Sequence, residues 1–413
     1  MLRYRSVMVA IVLASAVAAC GSTGAGRTAG RVTRAPADLT NGVAEVPVPL
    51  PTRQSPMVVA AGDHVVVFGG YRIEGGHEIP RNDGADYDVT RGEWTQMPPP
   101  PFDRALHLAA GVWTGSEVIV VGTPCGTITT PEEIYDAHCD HATIAAAAYL
   151  PTAHSWRSLA GPEPDSMPAL KDGSPLLGSG VGSTGRSVLF ANDTGDRSHE
   201  FLVTDNAGTA WRFLAGIPTA DTVCPVAGAI VAVETGEKDA NGGQGMATPQ
   251  TLAAPLRVSA LDVRTDSWSQ PVATPKPASP GAMFEYVPCS AGQLAYFPVF
   301  PGPVGLDSGG LWYEADRQEW VPLPAFGPTN SPDVGSVAEV RGTKVVVIGG
   351  SIFVLSAGAT SWARRALPPA AVGRFEALDD LILVRGYDDA TKPLTIGLLD
   401  PERYVKASDG TLK

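Results

Sequence analysis

The chain has 413 residues, a formal net charge of −13, 46 Gly, 37 Pro and a hydrophobic share of 44%. This hydrophobic share is enough for a large core, and the many turn-forming residues favour numerous short strands over disorder. The negative charge repels phosphate backbones and makes nucleic acid a poor partner.

The N-terminal residues have the pattern of a secretory signal. Arg3 and Arg5 precede a short apolar run, residues 7–19, which is too short to span a bilayer as a permanent helix. The small residues before Cys20 make residues 1–19 resemble the signal peptide of bacterial lipoproteins. This resemblance implies a lipidated Cys20, a flexible tether over residues 20–42 and a domain over residues 43–413 outside the cytoplasmic membrane. A soluble secreted protein is the alternative.

Residues 57–101 form the unit that the rest of the chain repeats. Two apolar runs around a tight turn end in Gly69-Gly70, and the pair Tyr87-Asp88 follows, with Trp94 six residues after the Asp. Four short strands bounded by turn residues are typical of one blade of a β-propeller. The marker tryptophans of successive units are Trp94, Trp156, Trp211, Trp268, Trp320 and Trp362.

This pattern of a glycine doublet, an aromatic–Asp pair and a spaced Trp resembles the kelch repeat. Leu261-Asp262 before Trp268 and Gly349-Gly350 before Trp362 carry the same resemblance. It implies an all-β, kelch-like propeller fold with a binding role, and it leaves the chemistry open.

The number of blades depends on the two ends of the chain. Six units are followed by a partial unit over residues 374–399, which shows three strands and no Trp. Residues 43–50 have the pattern of a single outer strand. If this strand adds to the last unit, it closes a ring of seven blades and covers both raw edges. The alternatives are that residues 404–407 supply that strand, or that the ring has six blades.

Four cysteines remain after Cys20, and export favours disulfides between them. Spacing leaves three connectivities open. We favour Cys125–Cys139, which would close one loop, and Cys224–Cys289, which would link neighbouring blades.

Three arginines are candidate ligand-binding residues. Arg53, Arg104 and Arg374 lie at or just before first strands, where side chains can reach the mouth of the central channel. Converging guanidinium groups could bind a carboxylate or an anionic sugar. The alternative is that each arginine contacts the carbonyl groups of a loop. The connections between second and third strands, residues 71–84, 123–143 and 235–255, should share a face with the loops between blades, which favours that face as the binding surface.

The loop over residues 123–143 also contains possible metal ligands. Asp136, His138 and His141 have suitable donor atoms, but their spacing follows no established template and Cys139 has an expected disulfide partner. We therefore expect no metal and no cofactor.

Three functions are compatible with the sequence, which contains no nucleophile elbow, phosphate loop or zinc-protease motif. The first is a lipid-anchored, extracytoplasmic propeller at the cell membrane that binds an envelope protein or glycan without catalysis. The second is a carbohydrate-active enzyme resembling sialidases or galactose oxidase, with its site at the channel mouth. The third is a structural subunit of an assembly.

Overall fold

The computed structural model describes residues 31–32, 39–75, 77–126, 139, 143–162, 181–183, 186–190, 200–205, 208, 210–215, 222–226, 229–234, 256–262, 265–273, 284–286, 288–299, 309–314, 317–327, 334–386 and 392–408. Within these residues the fold is all-β, with a short helix near the C-terminus.

The strands are numbered in chain order. Those of the N-terminal half are β1 (Arg31–Val32), β2 (Val43–Pro47), β3 (Met57–Ala61), β4 (His64–Phe68), β5 (Tyr71–Glu74), β6 (His77–Pro80), β7 (Gly84–Asp88), β8 (Glu93–Gln96), β9 (Ala105–Trp113), β10 (Val118–Cys125), β11 (Ala145–Leu150), β12 (Ser155–Ser158), β13 (Val181–Ser183), β14 (Arg186–Phe190), β15 (Glu200–Asp205) and β16 (Trp211–Ala215). Those of the C-terminal half are β17 (Thr222–Val226), β18 (Ala229–Glu234), β19 (Arg257–Asp262), β20 (Ser267–Trp268), β21 (Val272–Ala273), β22 (Phe284–Tyr286), β23 (Cys289–Ser290), β24 (Gln293–Val299), β25 (Leu311–Glu314), β26 (Glu319–Pro322), β27 (Val334–Val340), β28 (Thr343–Ile348), β29 (Ser351–Leu355), β30 (Ala363–Ala366), β31 (Arg374–Leu378), β32 (Leu381–Arg385) and β33 (Thr395–Leu399). Helix α1 covers Pro401–Ser408.

These strands form a succession of antiparallel sheets, each with four main strands. In order along the chain, their main strands are β3-β4-β7-β8, β9 to β12, β13 to β16, β17 to β20, β22-β24-β25-β26, β27 to β30, and β31-β32-β33-β2. We refer to them as the first to seventh sheets. The inner strands of each sheet contact those of the next, and β31 of the seventh sheet contacts β3 of the first. The fold is therefore a β-propeller, because the succession of sheets returns to its start.

The inner strands explain the apolar runs of the sequence. All five residues of β4 and all five of β29 are buried. A strand that is covered by neighbouring sheets on both faces has no solvent side, so its residues need not alternate between apolar and polar. The alternation returns at the edge of the molecule, where β30 has partly buried and exposed residues in turn.

The N-terminal strand pairs with the last sheet, as expected. Val43 pairs with Leu399 and Pro47 pairs with Thr395, so β2 forms the outer strand beside β33. Val46 is buried in the core between the seventh and first sheets. The strand therefore covers an edge that would otherwise be open to pairing with other chains.

The six marker tryptophans occupy equivalent positions. Each indole packs between its own sheet and the preceding one, starting with Trp94 between the seventh and first sheets. The ring nitrogens of Trp156 and Trp362 donate hydrogen bonds to the carbonyl groups of Pro98 (2.9 Å) and Pro324 (2.8 Å), which follow the outer strand of the preceding sheet. The six rings therefore fill the gaps between neighbouring sheets.

One alternative from the sequence analysis, in which residues 404–407 supply the outer strand of the last sheet, is wrong. These residues lie within helix α1. This helix packs against the sixth sheet, where the Tyr404 hydroxyl donates to the carbonyl of Ala366 (2.8 Å) and Thr343 donates to Glu402 (2.9 Å). Of the helices that the structure describes, none has the length and apolar character required to cross a membrane.

Candidate binding face

The strand register brings several connections to one end of the ring. Met57, the first residue of β3, pairs with Phe68, the last residue of β4. In the second sheet, Ala105 at the start of β9 likewise pairs with Cys125 at the end of β10. First strands thus begin where second strands end, and we call this end the entry edge. It also carries the linkers between sheets and the connections from second to third strands.

One cleft lies at the entry edge of the first sheet and has a volume of about 360 Å³. Its lining residues, which define the first cleft, are Pro51, Thr52, Arg53, Gln54, Tyr71, Arg72 and Ile73. One wall is the segment before β3, and the other is β5, which forms a hairpin with β6. The walls join at Gln54 and Tyr71, whose N–H groups each donate to the other residue's carbonyl (2.7 and 3.0 Å).

Gly70 makes this joint possible. Its φ is +79°, and a Cβ at this position would lie 2.5 Å from the carbonyl oxygen of Gln54. Only glycine combines this conformation with so close an approach of two backbones. The second glycine of the doublet therefore fixes the base of the first cleft.

Arg53 is used inside the fold. Its guanidinium donates to both carboxylate oxygens of Asp83 (3.3 and 3.0 Å) and to the carbonyl of Gly69 (3.0 Å). Burial by itself raises the pKa of Asp83, but the hydrogen bonds and charges of Arg53 and Arg81 together outweigh burial and hold that pKa below its ordinary value. These contacts match the alternative in which the arginine binds loop carbonyls, and they stiffen one wall of the first cleft.

A second cleft, of about 510 Å³, lies at the entry edge of the second sheet. Its lining residues are Pro101, Phe102, Asp103, Arg104, Pro124, Thr143, Ile144, Ala145, Ala146, Ser158, Leu159, Gly161 and Pro162. Asp103 and Arg104 are exposed, whereas Ile144 and Pro162 are buried. Arg104 thus lies on the exposed side of a cavity with both polar and apolar lining, and its role in binding a ligand at the channel mouth stays a prediction.

Arg374 lies elsewhere on the entry edge, opposite Arg385 in the seventh sheet. Two residues farther on, Glu376 accepts a hydrogen bond from the N–H of Ala60 in the first sheet (3.2 Å). Burial raises the pKa of Glu376, while that hydrogen bond and the charges of Arg385 and Arg374 oppose the rise. Arg53, Arg104 and Arg374 therefore belong to three different sheets and do not line one common cleft.

Both favoured disulfides are present. Cys125 and Cys139 close a loop at the end of β10, with Cα atoms 4.1 Å apart. Cys224 and Cys289 join the fourth sheet to the fifth, with Cα atoms 5.8 Å apart. Next to this second disulfide, the Ser290 hydroxyl donates to a β27 carbonyl (2.6 Å) and accepts a hydrogen bond from a β27 N–H (2.8 Å). The disulfide therefore anchors a turn that also contacts the sixth sheet.

Four residues singled out in the sequence, Cys20, Asp136, His138 and His141, lie outside the described part of the chain. Within the part that is described, no group of three or more His, Cys, Asp or Glu side chains is arranged to hold a metal ion.

A buried polar cluster that the sequence analysis did not predict joins the first and second sheets. Asp86 of β7, only 1% exposed, accepts hydrogen bonds from Nδ1 of His64 (2.8 Å) and from the hydroxyl of Tyr149 in β11 (3.1 Å). His154 reaches the same hydroxyl with its Nδ1 (3.2 Å). We call these four residues the Asp86 cluster.

The charges of the Asp86 cluster are balanced. Burial lowers the pKa of His64, but the hydrogen bond and charge of Asp86, together with the charges of Asp63 and Asp88, raise it above 6.5 overall. Burial and the charge of Asp86 raise the pKa of Tyr149, which keeps its hydroxyl protonated as a donor. The cluster is therefore suited to linking two sheets, because none of its buried side-chain nitrogen or oxygen atoms lacks a hydrogen-bond partner.

No protein-family model matches the chain, and no curated protein is significantly similar to it in sequence. Solved structures that are similar to this chain include "YCF48 bound to D1 peptide", at 13% identity and a TM-score of 0.44, covering 88% of this chain and 97% of that one. Acylaminoacyl peptidase in complex with Z-Gly-Gly-Phe-chloromethyl ketone matches at 10% identity and a TM-score of 0.46, covering 84% and 51%. The β-propeller domain of the Trilobed protease from Pyrococcus furiosus matches at 8% identity and a TM-score of 0.44, covering 86% and 94%.

Proposed function

We propose that this chain is a membrane-anchored, extracytoplasmic propeller of seven kelch-like blades that binds an envelope protein or glycan at its entry edge without catalysing a reaction. The observation that carries the proposal is the presence of two clefts on that edge, in neighbouring sheets, with volumes of about 360 and 510 Å³. Such volumes fall in the range of ligand sites on proteins.

The construction of the clefts supports a binding role. Each cleft is walled by a linker that leads into a first strand and by residues at the end of a second strand or beyond it. Such connections can vary without disturbing the strands, whereas the ring holds their ends in fixed positions. A rigid ring with variable connections on one edge is well suited to recognising a partner.

Three features support the location and the blade count. The lipoprotein-like residues before Cys20 favour export and anchoring. Two disulfides are typical of an oxidising compartment outside the cytoplasm. A seventh blade is supported by β2, which supplies the fourth strand to β31, β32 and β33.

Crosslinking in intact cells tests the binding function. A photoreactive benzoylphenylalanine replaces Ile73 or Ser158 at the clefts, or Arg91 as a matched control. Arg91 is 69% exposed and lies in the turn between β7 and β8, at the other end of the first sheet. We expect the same crosslinked partner from both cleft positions and none from Arg91. Equal crosslinking from all three positions, or none from the clefts, would contradict the proposal.

Two further measurements test the anchor and the absence of catalysis. The Cys20→Ala variant should leave the membrane fraction, and full retention in that fraction would rule out lipid anchoring through this residue. Captured glycan should be recovered unchanged, whereas the enzyme alternative predicts a cleaved or oxidised product.

A further inference from the structure

The backbone of β5 has an edge that faces the first cleft. At the base of the hairpin, the carbonyl of Gly70 accepts a hydrogen bond from the N–H of Arg81 (2.8 Å), so the even-numbered residues here turn their backbone groups toward β6. Tyr71 turns its N–H and C=O the opposite way, toward Gln54. Neighbouring residues of a strand alternate in this respect.

The backbone N–H and C=O groups of Ile73 point to the same side of β5 as those of Tyr71, because Ile73 lies two residues farther along the strand. Its N–H and C=O therefore point into the first cleft, where the next antiparallel partner of the ladder would be Thr52. The two walls separate at this position, and the cleft fills the gap between them. The side chain of Ile73 is 51% exposed, the highest value for a large apolar residue among those described. The cleft thus presents strand-forming backbone groups beside an uncovered apolar side chain.

The charge of the first cleft differs from that of the chain. The whole chain carries a net charge of −13, yet two arginines and no acidic residues line this cleft. Asp83 neutralises Arg53. Arg72 has a side chain that is 41% exposed and contacts Glu74 through a terminal nitrogen. Its Nε is buried and has no hydrogen-bond partner among the described residues, so a further acceptor would approach the exposed part of the side chain.

We propose that the first cleft binds an extended, acidic peptide segment of a protein partner, which adds to β5 as a further strand. The peptide exchanges backbone hydrogen bonds with the N–H and C=O of Ile73. One apolar side chain of the peptide covers Ile73, and an acidic side chain at a neighbouring position reaches Arg72, which projects from the other face of the strand. A peptide fits this edge better than a glycan, because it repeats N–H and C=O groups at strand spacing. The inference rests on the proposed binding function and names its partner class.

A peptide with a modified backbone gives the sharpest test. The full-length protein in detergent micelles is used to select binders from a phage-displayed library of random peptides. Each amide of the best peptide is then N-methylated in turn, and affinities are measured by calorimetry. We expect methylation of the one amide that donates to the carbonyl of Ile73 to weaken binding about tenfold or more, since it removes a hydrogen bond and adds a clash. Methylation of the two neighbouring amides should change the affinity by less than about twofold.

Protein variants test the other side of the contact. Ile73→Pro removes the N–H that faces the cleft, whereas Ile73→Ala keeps it and removes most of the side chain. We expect Ile73→Pro to abolish binding and Ile73→Ala to weaken it about tenfold. Arg72→Gln should lower the affinity for peptides that contain an acidic residue and leave the affinity for their neutral analogues unchanged.

Ile73→Pro could lose binding simply because it disturbs the hairpin. Amide hydrogen exchange in the wild-type protein tests strand addition without any substitution. In the wild-type protein, the amide of Ile73 should exchange quickly without peptide and slowly with it. The amide of Arg72, which faces β6, should exchange slowly in both states. An Ile73 amide that stays unprotected in the peptide complex overturns strand addition.

The possible failures are distinguishable. If cleft-specific crosslinks to a partner form but the library yields no binder, or no single N-methylation weakens binding, strand addition is wrong and the binding function stands. If the crosslinks also fail, the proposed function is wrong.

Discussion

His64 donates a hydrogen bond from Nδ1 to a carboxylate oxygen of Asp86 over 2.8 Å, and both side chains are almost completely buried. A buried charge pair gains little over an apolar pair of the same shape, but the loss of one partner leaves the other charge unpaired at a cost of about 3–5 kcal/mol. The Asp86 cluster is therefore a sensitive point of the contact between the first and second sheets.

We expect the stabilising contribution of His64 to fall as the pH rises above about 6.5. The pKa of His64 in the folded state lies above the ordinary value of 6.5, so the folded state holds this proton more tightly than the unfolded state. The contribution is fully present below 6.5 and is lost as the pH rises through the folded-state pKa. Urea unfolding of the wild type and of His64→Gln at a series of pH values measures it as the difference between their free energies of unfolding.

Asp83 and Asp88 titrate in another range and do not disturb this measurement. The pKa values of Asp83 and Asp88 are lowered in the folded state, so their contributions are lost only at about pH 4 and below. The test is the difference between the free energies of unfolding of wild type and His64→Gln. If this difference stays constant, or grows, as the pH rises above about 6.5, His64 is not held in its protonated form.

Two glycine substitutions separate backbone strain from steric conflict. Gly70 and Gly350 have φ angles of +79° and +74°, so alanine suffers similar strain at both, about 1–2 kcal/mol. The added Cβ meets the Gln54 carbonyl at 2.5 Å in Gly70→Ala and nothing within 4 Å in Gly350→Ala. We therefore expect Gly70→Ala to reduce the free energy of unfolding by about 1 kcal/mol more than Gly350→Ala does. Equal losses in urea unfolding would mean that the joint at Gln54 adapts without cost.

The pairing of β2 with β33 should be essential for stability. Val46→Asp places a carboxylate in the core between the seventh and first sheets and should cost about 3 kcal/mol or more. Glu45 is exposed on the same strand, and Glu45→Ala should change stability by about 0.5 kcal/mol or less. Thermal unfolding of the two variants compares them directly, and a similar midpoint for both would argue against a sealed junction.

The two disulfides should differ in their effect on stability. The Cys224–Cys289 disulfide spans 65 residues and the Cys125–Cys139 disulfide spans 14. A longer closed loop restricts the unfolded chain more, so replacing both Cys224 and Cys289 by Ser should cost about 4 kcal/mol, against about 3 kcal/mol for the other pair. Urea unfolding of the two double variants checks this order, and a reversed order would show that native contacts outweigh chain entropy.

The architecture could be predicted because its causes are local and repeated. Trp94 and Trp362 recur with the same flanking turn residues, and both indoles fill the gap in front of their own sheet. Strand alternation and turn residues are properties of a few neighbouring amino acids. A pattern that repeats along the chain therefore specifies a unit of the fold, even where single motifs are weak.

The Asp86 cluster could not be predicted in the same way. His64 and Tyr149 lie 22 and 63 residues from Asp86 in the sequence. Nothing in the local pattern distinguishes these polar residues from others in the strands, since their contacts depend on how two sheets are placed against each other.

Two other features had signals that were interpreted differently. Residues 71–84 were expected to form a loop, but the pair Gly75-Gly76 between two four-residue segments is typical of a two-residue β-hairpin, and β5 and β6 form one. Helix α1 begins at Pro401 and has Lys406 in its last turn, which are common features of a helix start and end. The alternative in which residues 404–407 supply the outer strand is wrong, because these residues lie within α1.

The N-terminal residues meet the ring at two places. Val43 pairs with Leu399 at the end of a third strand, so β2 begins at the end of the ring opposite the entry edge and runs toward the start of β3. Earlier in the chain, Arg31 pairs with Thr95 and Val32 with Trp94, so β1 lies along the outer strand of the first sheet. The same stretch of chain therefore borders both sheets that meet at the junction of the ring, and it leaves fewer unpaired backbone groups there for another chain to join.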